Sequence, residues 1–180
     1  KLGVRAGSRI TVRDAIAALV TKSANDVAVV VAEGLGGTEA RFATLMTAKA
    51  RKIGMRSTVF TNASGLPDAN QVSTARDIAI MGEAIQRDHP DYYAYFAMTD
   101  MAWGKSVFKN HNNLLGNVEG VNGIKTGYTN ASGFNLLAAA ERDGHRVIVV
   151  VLGGSTSSER DGHVGALFEA AYAELDRRET

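Results

Sequence analysis

The chain has 180 residues, 45% of them apolar and 22% charged, with a formal net charge of +1 and no cysteine. Those values describe one ordinary globular domain, or most of one. The near-zero charge argues against nucleic acid or an anionic membrane as partner, and the absence of Cys removes disulfides, thiolate metal sites and thiol catalysis. No apolar run approaches the roughly 20 residues that span a bilayer, and the start at Lys1, with neither Met nor a signal-peptide pattern, reads as the middle of something longer.

Taken in chain order, Thr11 and Asp14 form a capping pair before an apolar stretch, Ala15 to Val20. Ser23 and Asp26 repeat that spacing before a run of Val and Ala from Val27 to Ala32, apolar nearly all round, which predicts a buried helix ending at Gly34. Gly36-Gly37 predicts a turn. Thr38 caps a third helix, Glu39 to Ile53, which Gly54 stops. Residues 55–72, with Asn62, Gly65, Pro67, Asp68 and Asn70, read as a long polar loop. Ser73 or Thr74 opens a helix with Ile78, Met81 and Ile85 inward, ended by His89-Pro90 because the residue before Pro avoids helical geometry. An aromatic segment, Tyr92 to Phe96, reads as packing.

After Trp103 the pattern turns to strands. Val118 to Thr126 is one. Phe134 to Ala140 and Arg146 to Leu152 are two more, joined across Asp143-Gly144, a strong hairpin signal. Glu159 to Leu175 places Val164, Leu167, Phe168, Ala171 and Leu175 at helical spacing. The fold class is therefore α+β, a mostly helical part over residues 11–100 and a sheet with a covering C-terminal helix over 101–180. A sheet of three strands is thin, and its edges need cover or partners.

Two short patterns carry chemistry. Ser23-Ala24-Asn25 lies at a junction between helices, and Lys125-Thr126-Gly127 ends a strand. By itself, Ser-x-Asn is expected by chance in roughly half of chains this long, and Ser23 is also an ordinary helix-cap residue. Lys-Thr-Gly is scarcer, with a chance expectation on the order of 0.02 per chain. A junction serine opposite a strand lysine is what a cleft between a helical part and a sheet requires. Together they are the second and third elements of a three-part serine acyl-transfer site whose first element is Ser-x-x-Lys.

With five ordered phrases the chain resembles the low-molecular-weight penicillin-binding proteins, the serine D-alanyl-D-alanine carboxypeptidases of peptidase family S11. The phrases are Ile10 to Asp14, Ser23-Ala24-Asn25-Asp26, Ser73 to Asp77, Asn110 to Leu115, and Gly123 to Ala131, continued by Phe134-Asn135-Leu136 and the strand end at Val149 to Gly154. The resemblance implies a DD-peptidase/β-lactamase-like fold, of which residues 1–180 form part of one domain. It implies an exported protein of the bacterial periplasm or cell envelope, with which the lack of Cys agrees. It implies a serine that attacks the bond between two terminal D-alanines of peptidoglycan pentapeptides, an acyl-enzyme that water cleaves, and inhibition by β-lactams.

In that scheme Ser23 passes protons, Asn25 holds the substrate's amide side chain, and Lys125 places positive charge beside both. Lys125, Thr126 and Thr129 are cations and hydroxyls of the kind a free substrate carboxylate needs. The backbone from Thr126 to Tyr128 contributes to an oxyanion hole, with Gly127 permitting close approach. Arg160 resembles the family's carboxylate-binding arginine, with a solvated residue at a helix start as the alternative.

The nucleophile is missing. Only Ser106-Val107-Phe108-Lys109 has the letters of Ser-x-x-Lys, and an extended segment points residues three apart to opposite faces. The expectation is a fragment that lacks the N-terminal Ser-x-x-Lys segment of the same protein, is inactive alone and exposes core surface. Membrane association would come only through absent parts, and no cofactor is implied. His89, His111, His145 and His163 lack metal-ligand spacing, no Gly-x-Ser-x-Gly elbow occurs, and no strand leads into Gly34-Leu35-Gly36-Gly37 to make a dinucleotide site. A β-lactamase-related hydrolase and a non-catalytic peptidoglycan- or β-lactam-binding module remain as alternatives.

Overall fold

A computed structural model describes residues 1–179. Helix α1 (Val12–Ala17) is capped by the Thr11 hydroxyl, which accepts the Asp14 amide, and it runs into a π-helical turn over Ala18–Lys22. Helices α2 (Asn25–Gly36), α3 (Glu39–Ile53) and α4 (Ala75–Asp88) follow, then a single turn α5 (Pro90–Tyr93) and a 3₁₀ turn over Ala94–Ala97. Thr38 and Thr74 cap α3 and α4 through their hydroxyls, and Gly54 closes α3 in the left-handed conformation.

Two corrections fall on α2. It continues to Gly36 rather than stopping at Gly34, since nothing in Gly34-Leu35 forces a helix to break. It is also not buried all round, because Val30 and Leu35 are exposed.

The strands form two separate sheets. Strands β1 (Asp100–Trp103) and β2 (Ser106–Lys109) make a small antiparallel hairpin, with Gly104 at φ 59° in the tight turn. Strands β3 (Val121–Thr129), β4 (Gly133–Arg142) and β5 (His145–Gly154) make an antiparallel sheet in that order. The second hairpin turns at Asp143 and Gly144, both at positive φ, as the Asp-Gly signal requires. Helix α6 (Ser157–Glu179) packs on β4 and β5.

Strand alternation explains the layers. On β4, Leu136, Ala138 and Ala140 join Val149, Val151, Val164 and Phe168 beneath α6. The intervening Leu137 and Ala139 face the other way, toward Ile78 and Met81 of α4. Both faces of β4 are therefore buried, which its near-continuous apolar run requires. Gly82 lets α4 approach, since a Cβ there would stand 3.0 Å from Leu137.

The turn before β3 is equally tight. Gly120 sits at φ +74°, and a Cβ there would lie 2.4 Å from the Glu141 carbonyl oxygen. Gly120→Ala is expected to destabilise the fold by about 2 kcal/mol or more, from left-handed strain plus a backbone clash. Urea unfolding measures it, and a loss under about 0.5 kcal/mol would contradict this geometry.

Candidate active site

The π-helical turn adds one residue to a helical repeat and delivers the chain to Ser23 at φ 53°, ψ 50°. A non-glycine residue there carries local strain, a pattern that clusters at functional sites. Helix α2 then begins at Asn25 with Ala24 at its cap position and no side-chain cap bond. Ser23 is thus not the helix cap that its spacing to Asp26 predicts. The Asp26 carboxylate instead accepts the amides of Leu2 (2.8 Å) and Gly3 (2.7 Å).

Lys125 stands opposite Leu137 on β4, on the face that looks toward α4. Its Nζ donates to the Thr126 carbonyl at 2.5 Å. Burial, then the positive charge of Arg160, lowers its pKa to about 8. Thr126 is buried, and Gly127 is exposed opposite Asn135. A Cβ at Gly127 would meet only Asn135, at 3.9 Å, so crowding by the protein itself does not demand glycine.

One cavity of about 370 Å³ is lined by Ser23, Asn25, Lys125, Thr126, Gly127 and Thr129 together. A neighbouring polar one of about 790 Å³ shares Ser23, Asn25, Thr126 and Gly127 and adds Arg160. Between them these two adjoining cavities hold all seven sequence-predicted residues, six of them in the first, although Ser23 and Lys125 are a hundred positions apart. Two of them differ in detail. The Thr129 hydroxyl is turned into the β3–β4 loop, where it pairs with the Ser132 hydroxyl at 2.8 Å and accepts its amide at 3.0 Å. Arg160 is 3% exposed rather than solvated. Its guanidinium donates to Asp161 (2.7 and 2.9 Å), Ser157 (3.1 Å) and the Asn135 carbonyl (3.4 Å).

Ser106 and Lys109 lie at the two ends of β2 and line neither cavity. Lys109 instead reaches Asp100 at 3.4 Å.

Several groove residues lie outside the set that the sequence predicts for the site. Ser64, Gly65 and Leu66 of the 55–72 loop form one wall. That loop is held by Gln71, whose Oε1 accepts the amides of Thr61 (3.0 Å) and Asn62 (3.2 Å). The Tyr128 and Phe134 rings, 4.4 Å apart, border the polar end. Asn112, 3% exposed, donates to the Gly123 carbonyl at 3.1 Å and so fixes the start of β3. Among the described residues no group of His, Cys, Asp and Glu could hold a metal ion, and no helix is long and apolar enough to cross a membrane.

Comparison with known proteins agrees with this arrangement. The chain is 31% identical over 167 residues to the D-alanyl-D-alanine carboxypeptidase DacD of Salmonella typhimurium, covering 92% of this chain and 43% of that protein. It is 35% identical over 158 residues to DacC of Escherichia coli, covering 87% and 40%. It thus spans less than half the length of these curated relatives. Among solved structures, penicillin binding protein 5 of Haemophilus influenzae superposes with a TM-score of 0.91 at 34% identity, over 96% of this chain and 51% of that one. Cefotaxime-bound penicillin-binding protein D2 of Listeria monocytogenes gives 0.85 at 34% identity, over 93% and 69%. The family model for D-alanyl-D-alanine carboxypeptidases, peptidase S11, matches residues 1–156, and the chain belongs to that family.

Proposed function

We propose that this chain is part of the catalytic domain of a serine-type D-alanyl-D-alanine carboxypeptidase, and that a Ser-x-x-Lys segment of the same protein supplies its nucleophile. The observation that carries the reading is the convergence of Ser23, Asn25 and Lys125-Thr126-Gly127 on one groove. The substrate is a peptidoglycan stem peptide ending in D-Ala-D-Ala, and β-lactams occupy the same groove. Such a substrate places the protein outside the cytoplasmic membrane, in the periplasm or cell envelope.

The chemistry follows from the charges. The nucleophilic hydroxyl forms a bond to the carbonyl carbon of the penultimate D-Ala, and the C–N bond to the terminal D-Ala breaks. The hydroxyl proton passes to the leaving amine. Lys125, lowered to about 8, exchanges protons near neutral pH, and Ser23 is the hydroxyl that relays them. Asn25 orients the peptide, and the backbone along Thr126 to Tyr128 faces the developing oxyanion. Water then hydrolyses the ester and frees the serine.

Two further observations support a second segment. The apparent Ser-x-x-Lys at Ser106 lies outside both cavities. An open apolar hollow of about 400 Å³, lined by Phe42, Leu45, Met46, Ile53, Met81 and Ile85 among others, runs between α3 and α4. Apolar surface of that kind is normally covered.

The test is labelling with a fluorescent penicillin. The chain alone is expected to give no covalent band on a denaturing gel. Supplied with a Ser-x-x-Lys segment from the same protein, it should label and release D-Ala from a pentapeptide. Labelling of the chain alone would reject the division of the site. Faster penicillin hydrolysis than D-Ala release would favour a β-lactamase-related enzyme.

A further inference from the structure

The two edges of the three-stranded sheet differ. Strand β3 carries Lys125 to Gly127, so its edge borders the groove. Strand β5, the other edge, has no strand beyond it among the described residues. It is ten residues long, and from Val147 to Gly154 it holds no charge and no proline. A short length, an inward charge, a lysine or a proline would blunt such an edge, and this stretch has none of them. Its one register shift falls at its C-terminal end, where β4 runs from Leu136 to Phe134.

The direction of the β5 backbone groups follows from the pairing. The Glu141 amide donates to the Gly120 carbonyl at 3.0 Å, so that residue of β4 bonds toward the β3 side. Its neighbours Ala140 and Arg142 therefore bond toward β5, where they stand opposite Val147 and His145. Val149 continues that set. Arg146, Ile148 and Val150 turn their N–H and C=O groups outward, and no strand among the described residues receives them.

We propose that β5 pairs with β5 of a second copy of this chain, antiparallel about a two-fold axis at Ile148. Only this two-fold register sets all three outward residues against one another, Ile148 opposite Ile148 and Arg146 opposite Val150. On the other face it sets Val147 opposite Val149. No charge meets a like charge, and branched apolar pairs of this kind stabilise a ladder. The same patch serves both copies, as an isologous contact requires. A net charge of +1 gives two copies little reason to repel. On the α4 side, Arg146 and Ile148 line an open trough of about 620 Å³ with Ala79, Ile80 and Gln86, and Val150 of the second copy comes beside it. The result is one six-stranded sheet with the two β3 strands at its outer edges, five strand spacings or about 24 Å apart. Both grooves stay open, so this inference stands or falls apart from the carboxypeptidase reading.

The experiment uses the chain as it stands. Sedimentation from about 1 to about 500 μM, at about 0.15 M salt to screen Arg76 and Arg87 of the same trough, should show a shift from 19.1 kDa to twice that mass. Amide exchange gives the location. The Arg146, Ile148 and Val150 amides should exchange at least about tenfold more slowly in the dimer, while Val147 and Val149, already bonded to β4, should not change. Charges on the axis add a second reading. Ile148→Lys and Ile148→Glu should each be monomeric, because the axis sets like charges face to face, and an equal mixture of the two should dimerise again. Ile148 is half-buried beside the open trough, so either side chain can reach water. A chain that is monomeric at every concentration overturns the proposal, as does a dimer whose three amides exchange as fast as in the monomer. So does a mixture that stays monomeric while both variants keep the circular dichroism of the parent. Loss of the dimer on adding the Ser-x-x-Lys segment, with those amides still protected, would assign the edge to that segment and overturn it too.

Discussion

Phe168→Ala is expected to lower the free energy of unfolding by about 3–5 kcal/mol. Phe168 is fully buried on α6. It fills the space against Leu136, Ala138, Val149, Val151 and Val164. Two of its sheet neighbours, Ala138 and Ala140, are already small and cannot reach into the void. Collapse is therefore incomplete and the cavity term stays near its maximum. A domain of ordinary stability has only about 5–15 kcal/mol in hand, so the variant should be largely unfolded in modest urea. Leu167→Ala, one position along and facing solvent at 38% exposure, should change stability by under about 1 kcal/mol. A similar loss in both variants would show that α6 is not seated as described.

Lys125→Met is expected to separate function from stability. The variant should lose binding of carboxylate ligands and, in the completed enzyme, acylation. It should also be more stable than the parent at pH 7. The folded state lowers the pKa of Lys125 from 10.5 to about 8, so below pH 8 it holds a charge that burial disfavours. The unfolded chain keeps that proton up to about 10.5. Between those values the unfolded state binds more protons, and the parent gains stability as pH rises. The advantage of Lys125→Met, at most about 3 kcal/mol for a shift of this size, should thus be full below pH 8 and vanish above about 10.5. Tyr93, whose pKa burial raises to about 12, weakens both proteins in strong base, and comparing the two removes its contribution. Urea midpoints at pH 7, 9 and 11 are the measurement. A gap that stays constant with pH would mean that Lys125 does not titrate in this window.

What could be read in the sequence was whatever local chemistry decides. Thr38, Gly54 and Thr74 bound helices because hydroxyl caps and left-handed glycines act within one turn. Asp143-Gly144 located the main hairpin for the same reason. The strands run past the C-terminal ends of the apolar runs, since β3 pairs with β4 through Tyr128-Thr129 and β4 with β5 through Glu141-Arg142, whereas β3 begins at Val121 rather than Val118. What stayed hidden depends on tertiary context. Ser23 looks like a cap in sequence, and only the π-helical turn before it makes it something else. For Arg160 the sequence leaves a site arginine and a solvated residue both open, and only its enclosure by Asp161, Ser157 and the Asn135 carbonyl removes the solvated alternative. The separate β1–β2 hairpin was missed because Trp103-Gly104-Lys105-Ser106 lacks the usual pair of turn residues.

The wide turn at Ala18–Lys22 has a consequence for how such chains can change length. An ordinary helix advances by about 100° per residue. Deleting one position there would restore the regular repeat and swing the hydroxyl of Ser23 about a quarter of the way around the helix axis. Insertions and deletions should therefore accumulate in the exposed loops and spare these five positions.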